Sequence, residues 1–365
     1  MRLSQRFGRR EHPCFKADEF YRSACSTGLE YRMSKENIYL QVMEKLSHPA
    51  SPYLERLLRK LMTPEEAELL LALPADTAQL AARFGRDENE IKAKLQEFME
   101  RGLVIPSKGE LRFARDVARL HDATLSSAEK WVDEQLLDLW KDFYEREWFA
   151  AMKEGPKLLA RPMIRVIPAW KAIELSAIPA TDVPPEQNIR ELIKGAAVIA
   201  VVPCTCRRSM RRCNAPLHNC MQFNKGAEYA ISRGAGRRLS VDQAIAIADE
   251  AEEAGLVHTW PFPPSFFEIC NCCRDCCGIF DGGLYFGTMD RILEKSNFRA
   301  RIEQEICNGC ESCVERCFFG AIKMTKVDSE LKATLDAGKC FGCGLCVLAC
   351  NLRAITLKPL QTNQP

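Results

Sequence analysis

The N-terminal third of the chain carries apolar residues at helical spacing, most regularly between residues 39 and 73. Thr63 followed by Pro64 predicts the start of a helix, because Thr caps free N–H groups and Pro suits the first helical position. Two further helices are predicted at 76–84 and 87–101, each beginning at an Asp and separated by a glycine. The pattern indicates a small helical module.

A β-hairpin is predicted after these helices. Segments 103–105 and 110–113 are largely apolar or alternating, and Ser107-Lys108-Gly109 between them is typical of a turn. Two helices followed by a hairpin resemble a winged helix over residues 50–120. That resemblance implies DNA binding, with the second helix in the major groove.

The charges of that second helix argue against DNA binding. Residues 87–101 hold five acidic and three basic side chains, and three of the acids lie in the first turn. DNA affinity depends on cations that neutralise phosphates. We therefore do not expect DNA binding and interpret the module as a protein-docking or dimerisation unit, with the oligomeric state left open.

Residues 126–154 predict one long amphipathic helix with a largely aromatic apolar face. That face consists of Trp131, Leu136, Leu139, Trp140, Phe143 and Trp148. We interpret these residues as core, because no polar residue is expected to converge on them and form a cofactor site. Five prolines between residues 162 and 185 then predict a partly extended connector.

A mixed α/β region is predicted next. A helix at 186–194 precedes the apolar run 196–202, which is typical of a buried strand. Ser240 and Gln243 form a capping box for a helix at 241–254, and a second strand is predicted at 256–260.

Composition narrows the class of protein. Lys plus Arg (51) nearly balance Asp plus Glu (49), so no overall charge points to a nucleic-acid or membrane partner. No run of about eighteen apolar residues predicts a membrane span. Seventeen of the 19 cysteines follow residue 203, many at C-x2-C spacing, which in a large chain indicates metal ligation in a reducing compartment. We expect a cytoplasmic protein.

The N-terminal segment carries no such pattern. Arg9-Arg10 is followed by no apolar segment, so a twin-arginine export signal is not expected. Met33 opens the first clean helical segment and is an alternative start of translation, in which case Cys14 and Cys25 have no role.

The last sixty residues contain a duplicated cysteine motif, C-x2-C-x2-C-x3-C. Its first copy is Cys307, Cys310, Cys313 and Cys317, and its second is Cys340, Cys343, Cys346 and Cys350. Three thiolates at this spacing can hold three corners of one cubane, while the fourth points to another cluster. Paired zinc knuckles do not match this interlocked spacing.

The duplicated motif resembles the bacterial two-cluster ferredoxin domain over residues 298–358. The resemblance implies that Cys307, Cys310, Cys313 and Cys350 hold one [4Fe-4S] cluster, and that Cys340, Cys343, Cys346 and Cys317 hold the other. Phe318 and Asn351 replace the proline that usually follows each fourth cysteine. Each frees a backbone N–H that can hydrogen-bond sulfur, so we expect altered potentials and intact clusters.

Nine further cysteines lie in the central region. They are Cys204, Cys206, Cys213, Cys220, Cys270, Cys272, Cys273, Cys276 and Cys277. We interpret them first as ligands of one or two additional Fe–S clusters, with structural zinc and a redox dithiol as alternatives. His218 and His258 are interpreted as surface or strand residues and not as ligands.

Four arginines follow Cys206 at helical spacing: Arg207, Arg208, Arg211 and Arg212. Such cations favour thiolates, and they also suit an anionic substrate or an acidic partner. A solvated basic turn is the remaining interpretation.

The predicted fold is multidomain α+β. Its parts are a basic N-terminus (1–35), the winged-helix-like module (36–125), the long helix and connector (126–185), a Cys-rich α/β domain (186–295) and the ferredoxin domain (296–365). The Pro-Cys-x-Cys-Arg and Cys-Asn-Cys-Cys elements, with the terminal ferredoxin domain, resemble a group of iron–sulfur proteins of anaerobes described only as ferredoxin-type.

We therefore expect an electron-transfer protein or oxidoreductase subunit that passes single electrons between its two clusters and a further Cys-ligated centre. Gly234-Ala235-Gly236 follows no predicted strand, so no nucleotide site is expected and a redox protein partner is required. The alternatives are an Fe–S redox sensor that regulates transcription through the winged helix, and an enzyme whose central cluster has an open iron.

Overall fold

The computed structural model describes residues 37–49, 51–261 and 268–360. The basic N-terminus, with Cys14, Cys25 and Met33, lies outside the described residues. Within the described ranges, no helix is long and apolar enough to cross a membrane.

The N-terminal part is a helical module with one hairpin. Its elements are α1 (Ile38–Lys45), α2 (Pro52–Leu61), α3 (Pro64–Leu71), α4 (Thr77–Phe84), α5 (Glu88–Glu100), β1 (Val104–Ser107) and β2 (Glu110–Phe113). The predicted cap at Thr63 is confirmed, because Thr63 and Glu66 hydrogen-bond each other's backbone N–H groups. Lys108 and Gly109 form the hairpin turn with positive φ angles of 53° and 83°. The elements lie where the sequence predicted a helix–helix–hairpin unit.

The predicted single helix at 126–154 is confirmed only from residue 134 onwards, because residues 126–133 are not α-helical. Helix α6 (Val117–Leu125) ends where the Ser126 and Ser127 hydroxyls donate to carbonyls of its last turn. Helix α7 (Glu134–Phe143) begins at Asp133, whose carboxylate accepts the Leu136 N–H. It continues through a π-helical turn at Tyr144–Trp148 into α8 (Phe149–Glu154). The chain therefore changes helical geometry within its aromatic stretch.

The central part is built on a seven-stranded mixed sheet in the order β6-β4-β5-β8-β7-β3-β9. Its strands are β3 (Ile164–Ile167), β4 (Ile199–Val202), β5 (Cys220–Phe223), β6 (Arg237–Leu239), β7 (Val257–Pro261), β8 (Glu268–Cys272) and β9 (Leu293–Glu294). All neighbours are antiparallel except β3 and β9. All four residues of β4 are buried, as its apolar sequence predicted.

Seven helices accompany this sheet. They are α9 (Trp170–Leu175), α10 (Ile189–Lys194), α11 (Thr205–Met210), α12 (Lys225–Ser232), α13 (Val241–Glu253), α14 (Phe280–Phe286) and α15 (Met289–Ile292). The predicted capping box of α13 is confirmed by reciprocal bonds between Ser240 and Gln243.

The C-terminal part is internally duplicated. Strand β10 (Phe298–Ile302) pairs antiparallel with β13 (Ile355–Pro359), and β11 (Ile322–Val327) pairs with β12 (Glu330–Leu335). Two one-turn helices, α16 (Ser312–Arg316) and α17 (Leu345–Leu348), carry the third cysteine of each motif. The result is a mixed α+β protein with a central mixed sheet and a cysteine-rich C-terminal domain.

Candidate metal centres

The eight C-terminal cysteines gather into two groups of four. One pocket is lined by Cys307, Cys310, Cys313 and Cys350. A second pocket is lined by Cys317, Cys340, Cys343 and Cys346. Each group contains three cysteines of one motif and the fourth of the other, which is the arrangement of a two-cluster domain.

Backbone N–H groups donate to three of these sulfurs. Ala321 N lies 3.3 Å from Cys317 Sγ, Ala354 N lies 3.2 Å from Cys350 Sγ, and Ala333 N lies 3.4 Å from Cys307 Sγ. Such donors stabilise negative charge on sulfur. The donors to Cys317 and Cys350 lie four residues after each cysteine, whereas the sequence suggested the residue directly after it.

Burial changes the acidity of these thiols. It raises the pKa of Cys313 to about 11 and that of Cys343 to about 12. Because iron binds the thiolate, loading the clusters releases protons that the buried thiols otherwise hold.

The central cysteines come from three segments that the sheet brings together. Cys204 caps α11 directly after β4, and Cys206 lies within that helix. Cys220 begins β5, while Cys270 and Cys272 alternate along β8, the neighbouring strand. Residues two apart on a strand face the same side of the sheet, so β8 presents both thiols together.

A cavity of about 190 Å³ lies beside this face of the sheet. Eight of the nine central cysteines line it; they are Cys204, Cys206, Cys220, Cys270, Cys272, Cys273, Cys276 and Cys277. We call it the cysteine cavity. Cys213 is the central cysteine that does not line it.

Contacts between sulfurs divide the nine cysteines into two sets. Six form a continuous series of neighbouring thiols in the order Cys204, Cys220, Cys270, Cys272, Cys277 and Cys206. The other three, Cys213, Cys273 and Cys276, form a compact triad. Cys213 Sγ lies 3.7 Å from both Cys273 Sγ and Cys276 Sγ.

Aromatic residues of helix α7 and of the π-helical turn that follows it form another wall of the cysteine cavity. Trp140 and Trp148, which were interpreted as core alone, line it together with Tyr144. Trp140 and Tyr144 are indeed buried. The expectation that nothing polar converges with them is wrong, because α6 places His121 and Asp122 at the same cavity.

These polar residues form a connected group that sequence analysis missed. His121 Nδ1 lies 2.9 Å from Asp122 Oδ1, and the Thr205 hydroxyl donates to the same carboxylate over 2.9 Å. Glu268 lines the cavity too, and burial, together with the Asp122 charge, raises the pKa of its carboxyl. No spacing in the sequence links these segments, since Thr205 lies 83 residues after Asp122 and Glu268 lies 63 residues after Thr205.

The four arginines are bound to other parts of the chain. Arg208 is 6% exposed and donates to the carbonyls of Leu125 and Ser127, both over 2.8 Å. Arg211 pairs with Glu134 and Asp138. The interpretation as a solvated basic turn is therefore wrong for Arg208.

The other two arginines lie near the triad. Arg212 pairs with Glu145 at 2.8 Å and Asp281 at 2.6 Å. Arg207 is 3% exposed and donates to the Pro216 and Asn271 carbonyls over 2.5 and 3.1 Å. Its guanidinium also hydrogen-bonds the Cys273 thiol.

Asn271 joins the cysteine-bearing segments. Asn271 stands between Cys270 and Cys272 in strand β8 and is fully buried; its side chain accepts from His258 Nδ1 over 2.6 Å and donates to the Asn219 carbonyl next to Cys220. His258 is thus a buried strand residue and His218 is exposed, as the sequence predicted.

The basic residues of α5, the helix that a winged helix would place on DNA, form ion pairs with acidic residues of this chain. Lys92 pairs with Glu88 at 2.9 Å, and Lys94 and Arg101 both pair with Glu66 and Glu97. The hairpin is engaged as well, since the Tyr229 hydroxyl donates to the Val104 carbonyl over 2.9 Å. These contacts support a packing role within this chain.

An aromatic series connects the cysteine cavity with the C-terminal domain. Phe280 lines the cavity, and its ring centroid lies 6.5 Å from that of Phe318 and 5.8 Å from that of Phe319. Phe319 stacks on Phe341 at 4.3 Å. Phe318 and Phe341 directly follow Cys317 and Cys340.

The paired cysteine groups define a two-cluster iron–sulfur domain in the C-terminal part of the chain. Residues 306–354 match the family model of the 4Fe-4S dicluster domain. The domain holds two [4Fe-4S] clusters and implies a role in electron transfer. None of the comparisons supports a winged-helix module. No curated protein and no solved structure matches the chain.

Proposed function

We propose that this chain is an electron-transfer protein or oxidoreductase component in which the dicluster domain exchanges single electrons with an iron–sulfur centre in the cysteine cavity. Cys307, Cys310, Cys313 and Cys350 ligate one terminal cluster, and Cys317, Cys340, Cys343 and Cys346 ligate the other. The two pockets that these groups line support the assignment.

The observation that carries the proposal is the position of Phe280. One face of the residue belongs to the cysteine cavity, and its ring contacts Phe318 and Phe319, which follow a cysteine of the second group. Aromatic side chains therefore lie between the cysteine cavity and the second group of cysteines. In this proposal electrons pass between the two centres along that aromatic contact.

The cysteine cavity suits a cluster better than a lone dithiol. Its six linked thiols come from α11, β5, β8 and the loop before α14, so they surround a volume from several directions. A dithiol needs two neighbouring sulfurs only. Iron–sulfur clusters are held by several thiolates of this kind.

The cavity also contains groups that can bind a reacting molecule. His121, Asp122 and Glu268 share it with the cysteines, beside three aromatic side chains. A pocket with an apolar wall and a few convergent polar groups is typical of a small-molecule site. Electrons reach the dicluster domain from a separate redox protein in this proposal.

Iron and sulfide analysis of anaerobically purified protein tests the proposal. Two terminal clusters contribute about eight irons per chain, and we expect about twelve or more, with an additional EPR signal after reduction. The double variant Cys204→Ser/Cys206→Ser should remove the additional iron and signal alone. About eight irons in the parent protein, with no extra signal, would refute a cluster in the cavity.

Rapid mixing with a reduced low-potential ferredoxin tests the electron path. The terminal clusters should reduce first and the cavity centre afterwards, as followed by freeze-quench EPR. Reduction of the cavity centre at an unchanged rate in protein whose terminal clusters have been removed by Cys310→Ser/Cys343→Ser would contradict this order.

A further inference from the structure

The nine central cysteines do not form one centre. We propose that Cys213, Cys273 and Cys276 bind a single tetrahedral divalent ion of the zinc class, separate from the iron–sulfur centre that the other six cysteines serve. This inference does not depend on electron transfer, because it concerns the composition of a second, mononuclear site.

Sulfur spacing carries the inference. Three thiolates on one tetrahedral ion with metal–sulfur bonds of about 2.3 Å lie about 3.8 Å apart. Cys213 Sγ lies 3.7 Å from each of the other two sulfurs, and all three sulfurs lie within 4.8 Å of one another. The triad therefore has the dimensions of a one-ion site.

The dicluster domain supplies an internal comparison. In a cubane each thiolate binds a different iron, so the sulfurs stand further apart. The three sulfurs of the triad all lie within 4.8 Å of one another. Among the described residues, neither terminal group of four cysteines contains three sulfurs that lie so close together. The six linked cysteines of the cavity do not meet this 4.8 Å limit either. Among the described residues, spacing thus separates the triad from both terminal groups and from the six linked cysteines.

The charge around the triad suits a thiolate–metal centre. Three thiolates on a divalent ion leave one net negative charge. Arg207 is buried, forms no salt bridge with a carboxylate in the described part of the chain, and has an Nε without a hydrogen-bond partner there. Its guanidinium lies against Cys273 and supplies the compensating positive charge.

Three protein ligands leave one coordination position for an exogenous ligand. Cys213 and Cys273 line a groove whose other side belongs to the dicluster domain, through Ser312, Arg316 and Asn351. We infer that the fourth ligand enters from this groove and is water or a small thiolate. Such a position is typical of zinc that binds or activates a molecule, whereas purely structural zinc has four protein ligands.

Metal analysis of anaerobically purified full-length protein tests the site. We expect about one zinc per chain in addition to the iron, and zinc K-edge absorption should show three sulfur neighbours at about 2.3 Å and no iron neighbour. Absence of zinc, or an iron neighbour in the spectrum, would overturn the inference without any variant.

Paired variants separate the two central sites. Cys213→Ser should lose the zinc and keep the iron, and the matched variant Cys206→Ser should lose cavity iron and keep the zinc. Loss of iron in Cys213→Ser would show that the triad belongs to the cluster. Electron transfer from the terminal clusters should survive in Cys213→Ser, so failure of this inference and failure of the proposed function give different results.

Cobalt substitution tests the exchangeable position. Co²⁺-loaded protein should show the intense visible bands of tetrahedral thiolate coordination, and 2-mercaptoethanol should shift them. Bands that 2-mercaptoethanol leaves unchanged would indicate a fourth protein ligand and overturn the open position.

Discussion

Asn271 offers the sharpest test of how the fold holds the central cysteines. Its buried side chain bonds His258 Nδ1 and the Asn219 carbonyl, and its own carbonyl accepts from Arg207. The substitution Asn271→Ala removes the two side-chain bonds and keeps the backbone bond. Strand β8 then loses part of its connection to β7 through His258 and to the start of β5 through Asn219.

The magnitude follows from the two groups left without partners. Each unsatisfied buried polar group costs about 1–3 kcal/mol, so the free energy of unfolding should fall by about 2–6 kcal/mol. A typical domain has about 5–15 kcal/mol in total. Asn271→Asp keeps the acceptor for His258 but places a buried carboxylate oxygen against the Asn219 carbonyl, so it should also lower the free energy of unfolding.

Urea unfolding under anaerobic conditions, followed by tryptophan fluorescence, measures the loss. Asn89→Ala is the matched control, because that side chain is exposed on α5. Iron content gives a second readout, in which cavity iron should fall and the terminal clusters remain. A change in unfolding free energy below about 0.5 kcal/mol, the range of neutral surface substitutions, would refute this account of the network.

Three further predictions concern other parts of the chain. Phe280→Leu should slow reduction of the cavity centre by the terminal clusters while both EPR signals persist, with Tyr285→Leu on the same helix as the control; an unchanged rate would contradict the aromatic path. Cys310→Ser should abolish one terminal signal and leave the other, and loss of both together would contradict the grouping of ligands. Burial raises the pKa of Glu147 in the folded protein, so ionisation of this carboxyl opposes folding. Its contribution to stability is therefore largest below the unfolded pKa of about 4.5 and is lost as the pH rises through the folded pKa. Glu147→Gln should therefore reduce the loss of thermal stability between pH 4 and pH 7, and an identical pH profile would contradict burial as the cause.

The contacts of the N-terminal module indicate a role within this chain. It was expected to dock or dimerise, and in this chain it packs on the central domain through Tyr229 and Arg208. Its last helix, α6, brings His121 and Asp122 to the cysteine cavity. The module therefore completes a wall of the site.

Local chemistry explains why many elements were predictable. The caps at Thr63 and Ser240, the hairpin and strand β4 depend on hydrogen bonds and apolar patterns within a few residues. The start of the long helix was predicted wrongly, because the Ser126 and Ser127 hydroxyls compete for backbone carbonyls and Asp133 begins the helix later. Amphipathic periodicity alone does not register that competition.

Sequence by itself indicated the two terminal clusters, because their ligands lie at fixed spacing in a duplicated motif whose resemblance to a two-cluster domain implies the pairing of the two copies. It also identified nine central cysteines as a second region of metal chemistry. Their division into six and three arises only when β5 and β8 pair and the loop after β8 folds back towards Cys213. Distances of a few ångströms between segments more than fifty residues apart decide how many ions bind there, and only tertiary structure sets those distances.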